Sequence, residues 1–188
     1  GGKQIEELLN GLLEYSRVST QGRRAMLLPA GLALKEAIKN LQKPIDETGA
    51  SITFDELPDV NADGMQLTRV FQSLIDNAIK FRDKEKPQIH VGCQKGGPVC
   101  PPGADTQGAN TQVSPYWQFS VRDNGIGIDK HHYERIFKIF QHLHPQDKYP
   151  GYGIGLTICQ KIVERHGGKI WVESKPGHGA TFYFTIPV

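Results

Sequence analysis

Asp123-Asn124-Gly125-Ile126-Gly127-Ile128 and Gly151-Tyr152-Gly153-Ile154-Gly155-Leu156 are two glycine clusters on either side of a polar segment. The first follows an alternating stretch, Trp117-Gln118-Phe119-Ser120-Val121-Arg122, that reads as a strand. The second opens an amphipathic run over residues 156–163. Glycine accepts backbone conformations that a side chain forbids, and a helix N-terminus offers unpaired N–H groups to an anion. The pattern predicts a mobile lid, hinged on glycines at both ends, over a bound anion.

Upstream of this stretch, residues 64–82 carry the strongest helical pattern. Met65, Leu67, Val70, Phe71, Leu74, Ile75, Ala78 and Ile79 form a broad apolar face, and Asp63 is the expected N-cap. Ser73, Asn77, Lys80 and Phe81 fall together on another face. An Asn beside a Lys on one stripe is a polar site that can meet a phosphate and a metal. Residues 3–18 repeat Ile5, Leu8, Leu9, Leu12 and Leu13 at helical spacing, ahead of a polar linker at 19–24. A lone helix of this length cannot bury its stripe, so it is expected to belong to a bundle or coiled coil.

The remaining pattern places short strands at 26–28, 51–54 and 60–62, and a helix over 32–41 that kinks or restarts at Pro44 and ends on Gly49. Strands at 88–94 and 116–122 flank residues 95–115, a Pro- and Gly-rich stretch expected to be a flexible insertion. A short helix is expected over 131–140 and another over 156–166, ended by Gly167-Gly168. Residues 169–174 and 180–186 read as a terminal hairpin. Strands joined by hairpins and interspersed with helices imply an α+β fold. The expected architecture is a two-layer α/β sandwich, a mixed sheet covered on one face by helices, with an N-terminal bundle helix.

Composition narrows the functions. The chain of 188 residues has 22 basic and 20 acidic residues, net charge +2, with no basic block, so no nucleic-acid partner is expected. No apolar run is long enough to span a membrane. Cys93, Cys100 and Cys159 lack the pairing of a disulfide framework or zinc finger and read as reduced thiols. His131-His132 and His142-x-His144 lack a carboxylate ligand set, so metal binding there is disfavoured. Gly1-Gly2 reads as a cloning remnant, and the chain is expected to be a piece of a longer protein.

There is no Walker sequence, and Gly151-x-Gly153-x-Gly155 lacks the Rossmann spacing. The amides of Gly153, Ile154, Gly155 and Leu156 still form a good phosphate cradle. Asn77 in Ser73-Leu74-Ile75-Asp76-Asn77-Ala78-Ile79-Lys80-Phe81 resembles the N box of sensor histidine kinases. Asp123-x-Gly125-x-Gly127 resembles their G1 box, Phe137-Lys138-Ile139-Phe140 their F box, and Gly151-x-Gly153-x-Gly155-Leu156 their G2 box. All four stand in family order, and the ending Ile170-Trp171-Val172-Glu173-Ser174 with Gly177-x-Gly179-x-Thr181-Phe182-x-Phe184 resembles the family's last hairpin. The match covers about residues 25–188, and the helix at 3–18 resembles the second dimerisation helix of phytochrome-type kinases.

The resemblance implies a Bergerat-type ATP-binding domain over residues 21–188, with a lid at about 130–152, preceded by a dimerisation-domain fragment at 1–20. It implies ATP and Mg²⁺ as ligands. Asp123 would accept a hydrogen bond from the adenine amino group, with Gly125 and Gly127 letting the backbone approach the base. Ile128 and Leu156 would line the adenine pocket, Phe81 would pack on the base or lid, and Thr181 would hydrogen-bond near the base. Asn77 would ligate Mg²⁺, while Lys80, Lys148, Gly151, Tyr152, Gly153, Ile154 and Gly155 would surround the phosphates. Phe137 and Phe140 read as packing at the lid base.

Hydrolysing relatives carry a Glu four residues before the Asn; Ser73 stands there and cannot serve as that base. The expected function is therefore γ-phosphoryl donation to a His that this chain lacks, for relay to the Asp of a response regulator. In the full-length protein a homodimer through the dimerisation helices and a cytoplasmic location are expected. A regulatory ATP-binding module or adaptor-docking domain of the same fold is the alternative. A serine/threonine kinase of the anti-sigma type is disfavoured by the bundle helix.

Overall fold

Strands β2 (Ser51–Phe54), β4 (Gln88–Gly96), β5 (Tyr116–Asp123), β6 (Ile170–Ser174) and β7 (Ala180–Pro187) form one sheet in the order β2-β4-β5-β7-β6. The structure, a computed structural model, describes residues 2–96, 115–141 and 153–188. Most of the expected insertion at 95–115 and residues 142–152 of the expected lid lie outside them. Strand β2 runs parallel to β4, and the other pairings in the sheet are antiparallel, so the sheet is mixed as expected. A separate ribbon pairs β1 (Met26–Pro29) with β3 (Asp59–Ala62).

Period-two alternation sends Ile89, Val91, Phe119, Val121, Val172, Phe182 and Phe184 to one face of the sheet, where all are buried. Three helices supply most of the opposing layer: α2 (Ala30–Asn40), α4 (Gly64–Lys80) and α5 (Gly155–Arg165). At the centre, Phe71 of α4 stands edge-on to Phe119 and Phe184, with centroids 5.8 and 5.5 Å away. Phe119 and Phe184 stack at 4.9 Å. This aromatic contact fixes α4 over the middle of the sheet, and α4 carries the polar stripe that matters for function.

Helix α4 starts where the sequence places it. Asp63 is buried, and its Oδ1 accepts from Met65 N at 3.1 Å and Gln66 N at 3.3 Å. Its Oδ2 accepts from Arg23 N at 2.7 Å, tying the preceding linker to the cap. The N–H of Asp63 donates to Nε2 of His166 at 3.0 Å, which leaves the ring proton on Nδ1 to meet Ile162 O at 2.8 Å. One residue thus joins α4, α5 and the linker.

Two expectations are corrected. The helix over 32–41 breaks at Leu41 (φ −101°, ψ 11°), and Pro44 falls inside the first turn of α3 (Gln42–Thr48), where its missing N–H costs nothing. Gly49 caps α3 in the left-handed region at φ 67°, as expected. Residues 131–140 do not form one helix. They form two 3₁₀ turns, Lys130–His132 and Arg135–Phe137, the first opened by the Asp129 carboxylate accepting from His131 N at 2.9 Å.

Helix α1 (Gly2–Thr20) has two apolar faces. Val18 is buried, with Leu8 and Tyr15 packed against the core, while Ile5, Leu9, Leu12 and Leu13 are exposed. Lys161 of α5 holds the docked face: its Nζ donates to Tyr15 O at 3.0 Å and sits 3.8 Å from the Tyr15 ring centroid. Gln66 Nε2 donates to Val18 O at 3.0 Å. Among the described residues no helix is long and apolar enough to cross a membrane.

The cap geometry yields a stability prediction. Asp63→Ala removes the acceptor for Met65, Gln66 and Arg23. It should lower the unfolding free energy by about 1–2 kcal/mol. The urea midpoint checks this, and an unchanged midpoint would contradict the role given to the cap.

Candidate functional site

A cavity of about 540 Å³ opens between the C-terminal half of α4, the loop after β5, the N-terminus of α5 and the start of β7. Asn77, Lys80 and Phe81 form its α4 wall, as the stripe predicts. Asp123, Gly127 and Ile128 face it from the loop, and Gly153, Ile154, Gly155 and Leu156 from the α5 end. Ala180 and Phe182 of β7 complete the floor. The fold thus brings two distant glycine clusters and the helix stripe to one space. Lys148, Gly151 and Tyr152 lie outside the described residues.

Asp123 ends β5 with its Oδ1 accepting from Gly125 N at 2.8 Å and Ala180 N at 3.1 Å. Burial raises its pKa above the ordinary carboxylate value, and the two backbone hydrogen bonds pull it down without cancelling that effect. Nearby, Asn124 acts as a brace: Oδ1 accepts from Gln88 N at 2.8 Å and Nδ2 donates to Lys86 O at 3.1 Å.

The loop after Asp123 is held from two sides. Toward α4, Ile126 N donates to Phe81 O at 3.0 Å. Toward the β6–β7 turn, Ile126 O accepts from Gly177 N at 2.7 Å and Gly125 O from Gly179 N at 3.0 Å. Ile128 N donates to Ser174 Oγ at 2.8 Å, and that hydroxyl donates onward to Gly179 O at 2.6 Å. The glycines serve this packing. A Cβ at Gly125 would lie 2.4 Å from Phe81 O, and one at Gly127, which has φ 73°, would lie 2.2 Å from Lys175 O. Gly125 therefore gives close approach to α4 and does not itself line the cavity.

Thr181 does not line the cavity either. Alternation along β7 turns Ala180 and Phe182 toward the cavity and Thr181 away, opposite Arg122 and Glu173 on the other sheet face. The contact to Asp123 comes from the N–H of Ala180 instead.

At the α5 end, Gly153 has φ 67°, and a Cβ there would lie 2.6 Å from Gln141 O. Its carbonyl accepts from Phe140 N at 3.2 Å. Phe140 is exposed and itself has φ 61°, whereas Phe137 is buried edge-on to Phe182 at 6.5 Å. Phe137 is therefore packing, as expected, and Phe140 is not. Lys80 is paired with Asp76 at 2.7 Å, one helical turn earlier. Ser73 is buried on the cavity wall near Cys159, a thiol that burial pushes up to about 12 and whose Sγ meets Val70 O at 3.9 Å. Cys93 is likewise pushed to about 12, mainly by burial, so neither thiol is a nucleophile near neutral pH.

Sequence reading missed a whole wall. Glu7, Asn10, Gly11 and Glu14 of α1 and Arg69 of α4 line the same cavity. Glu14 holds Arg69 in a bidentate pair, through Nε and, at 2.8 Å, through Nη2. Gly11 is the close-approach point, since a Cβ there would lie 2.6 Å from Cδ1 of Ile154.

A helix-covered mixed sheet, with a half-buried Asp at one wall of a cavity and a glycine-led helix N-terminus at another, defines a nucleotide-binding domain of the gyrase and histidine-kinase class. Residues 62–188 match the family described as histidine kinase-, DNA gyrase B- and HSP90-like ATPases, and the chain belongs to that family. Over its whole length it is 50% identical to cyanobacterial phytochrome A of a Nostoc species and 42% identical to the phytochrome-like protein Cph1 of a Synechocystis species. It spans 22% and 23% of those proteins. Among solved structures, full-length ShkA in complex with AMPPNP superposes with a TM-score of 0.72 at 25% identity, covering 99% of this chain and 36% of that one. The catalytic domain of histidine kinase ThkA gives 0.66 at 26% identity, covering 88% of this chain and 96% of that one. The fold expectation is borne out: this is the ATP-binding catalytic domain of the histidine-kinase type.

The backbone packing at Gly125 is testable. Gly125→Ala places a methyl against Phe81 O, a backbone atom. It should cost about 1–3 kcal/mol of stability. Denaturant unfolding checks this; a wild-type midpoint would show that the loop and α4 are not so tightly seated.

Proposed function

We propose that this cavity binds ATP with Mg²⁺ and presents the γ-phosphoryl group to a histidine of a dimerisation domain upstream of residue 1. The observation that carries this reading is the shared cavity: a half-buried Asp123 held by two backbone N–H groups, Asn77 on the α4 wall, and the start of α5. The Asp123 carboxylate accepts from the adenine amino group. Ile128, Leu156 and Phe81 supply apolar contact around the base. Gly127 lets the loop turn there. The amides of Gly153 to Leu156 at the start of α5 meet the phosphates, with Lys80 as a point charge; Lys148, Gly151 and Tyr152 belong to the same reading.

Mg²⁺ fits the donor set, because Asn77 and Asp76 are hard oxygen donors on one wall and the triphosphate supplies the rest. When bound, the metal neutralises phosphate charge. The chain's own contribution is position: base at one end, phosphates at the other. Residues 1–20 are read as the last dimerisation helix, ahead of the catalytic domain at 21–188. The exposed Ile5, Leu9, Leu12 and Leu13 form the face for a second copy in the full-length protein. A response-regulator receiver is the phosphate acceptor in turn, in the cytoplasm; the solved complex of ThkA with the response regulator TrrA, similar in fold, supports a partner of that kind.

Asp123 gives the test. Its raised pKa means that acid neutralises the carboxylate at a higher pH than an ordinary Asp. ATP affinity should be level near neutrality and fall on acidification before the ordinary value of 3.8 is reached. The stability sign is opposite: a raised folded pKa favours the fold below the unfolded value, and that contribution is lost as pH rises through the folded pKa. Asp123→Asn should therefore lose at least tenfold in ATP affinity, by calorimetric titration with Mg²⁺, while unfolding no more easily at pH 7. Wild-type affinity in that variant would count against the whole assignment. Incubated with radiolabelled ATP, the chain should form no phosphohistidine.

A further inference from the structure

We infer that Arg69 is a terminal-phosphate residue held in reserve by Glu14, so that α1 and the γ-phosphate of a bound nucleotide compete for one guanidinium. The inference rests on the nucleotide reading of the cavity and goes further, to what distinguishes a triphosphate from a diphosphate there. Arg69, Ser73, Asn77 and Lys80 lie along one side of α4 and line one cavity. At 1.5 Å per residue, Arg69 lies about 12 Å along the axis from Asn77, away from Asp123 and Phe81. Ser73, between them, stands level with the start of α5: a Cβ at Gly155 would be 3.8 Å from its hydroxyl. A nucleotide with its base at Asp123 and its phosphates at α5 therefore extends its far end toward Arg69.

That end is closed by α1, which places two carboxylates, Glu7 and Glu14, on the cavity wall. An anionic wall opposes a γ-phosphate. Glu14 is bidentate on Arg69, with Nη2 to Oε2 at 2.8 Å, and both side chains keep about a third of their surface exposed (34% and 37%). Such a pair exchanges partners readily, because a phosphate offers the guanidinium the same fork geometry with more charge. Helix α1 is seated for release at this point. Most of its anchors, Val18, Tyr15 and the Lys161 contact, lie toward its C-terminal half; before Glu14, Leu8 and Gly11 meet the domain, while Ile5, Leu9, Leu12 and Leu13 are exposed. The γ-phosphate taking Arg69 frees Glu14 and, with it, the N-terminal half of α1. A diphosphate ends short of Arg69 and leaves the pair intact.

The experiment is calorimetric titration of the chain with a non-hydrolysable ATP analogue and with ADP, each with Mg²⁺. It compares wild type, Arg69→Gln, Glu14→Gln and the double variant. Arg69→Gln should weaken the triphosphate about tenfold and ADP less than twofold. Glu14→Gln should tighten the triphosphate several-fold with ADP unchanged, and the double variant should behave like Arg69→Gln. Hydrogen exchange in residues 3–12 should speed up with the triphosphate and not with ADP. Equal losses for both nucleotides in Arg69→Gln, or an unchanged triphosphate-to-ADP ratio in Glu14→Gln, would overturn the inference and leave the nucleotide site standing. Should Arg69→Gln unfold, Glu14→Gln alone decides the matter through the same ratio. A wild-type chain that binds neither nucleotide overturns the nucleotide reading and this inference together.

Discussion

The site depends on one backbone contact, the Phe81 carbonyl at the end of α4 accepting from Ile126 N at 3.0 Å. A helix leaves its last carbonyls without partners, and this one is given to the loop that follows β5. The contact works only because Gly125 has no side chain, since a Cβ there would strike the same carbonyl. On its far side the loop is clamped by the turn between β6 and β7, through Gly177 and Gly179. Asp123 is thereby set between a helix end and a hairpin turn, neither of which its own strand determines. Its carboxylate is oriented by Ala180 N from a strand 57 residues away in sequence. Long-range closure, not local turn preference, makes Asp-Asn-Gly a site here.

Much of this was legible in the sequence, for identifiable reasons. Helix α4 combines a dense apolar face with Asp63 as a cap, and both are local properties. The hairpins β4–β5 and β6–β7 were readable from alternation and spacing, and the glycine clusters from their demand for unusual backbone. What was not legible depended on packing between distant elements. The G1-box pattern marked Gly125, but not that its missing side chain makes room for the Phe81 carbonyl of α4. Thr181 was placed one residue out of phase, a strand register that turns a side chain to the opposite face. The helix expected over 131–140 gave way to 3₁₀ turns because the Asp129 cap, the Tyr133 hydroxyl on Ser174 and buried Ile136 and Phe137 each fix a separate point.

The α1 wall shows the same limit most clearly. Periodicity implied that α1 needs a partner, and Ile5, Leu9, Leu12 and Leu13 are exposed. It did not reveal a second face, because that face is built from single residues with different roles: Gly11 for close approach, Tyr15 for a cation, Glu14 for Arg69. None is hydrophobic in the sense that a helical pattern counts. Arg69 was likewise invisible, since at one position before the apolar Val70 it reads as an ordinary solvated charge.

These observations set two demands against each other within one cavity. Burying Asp123 raises its pKa, so keeping it ionised at neutral pH costs folding stability. That cost is tolerable because Gly125 and Ala180 each donate a backbone N–H to it, leaving the remaining acceptor capacity for a base. At the opposite end the balance is reversed. Arg69 is favoured in its charged state, since Glu14 outweighs the burial that opposes it. One end therefore holds a carboxylate that burial makes easier to protonate and the other a paired cation. A ligand with a neutral base and a polyanionic tail meets the first and competes for the second, and only the second contact involves α1. On the proposed reading, recognition of the base is built into the catalytic fold itself, whereas recognition of the tail is linked to a helix that also carries an exposed apolar face.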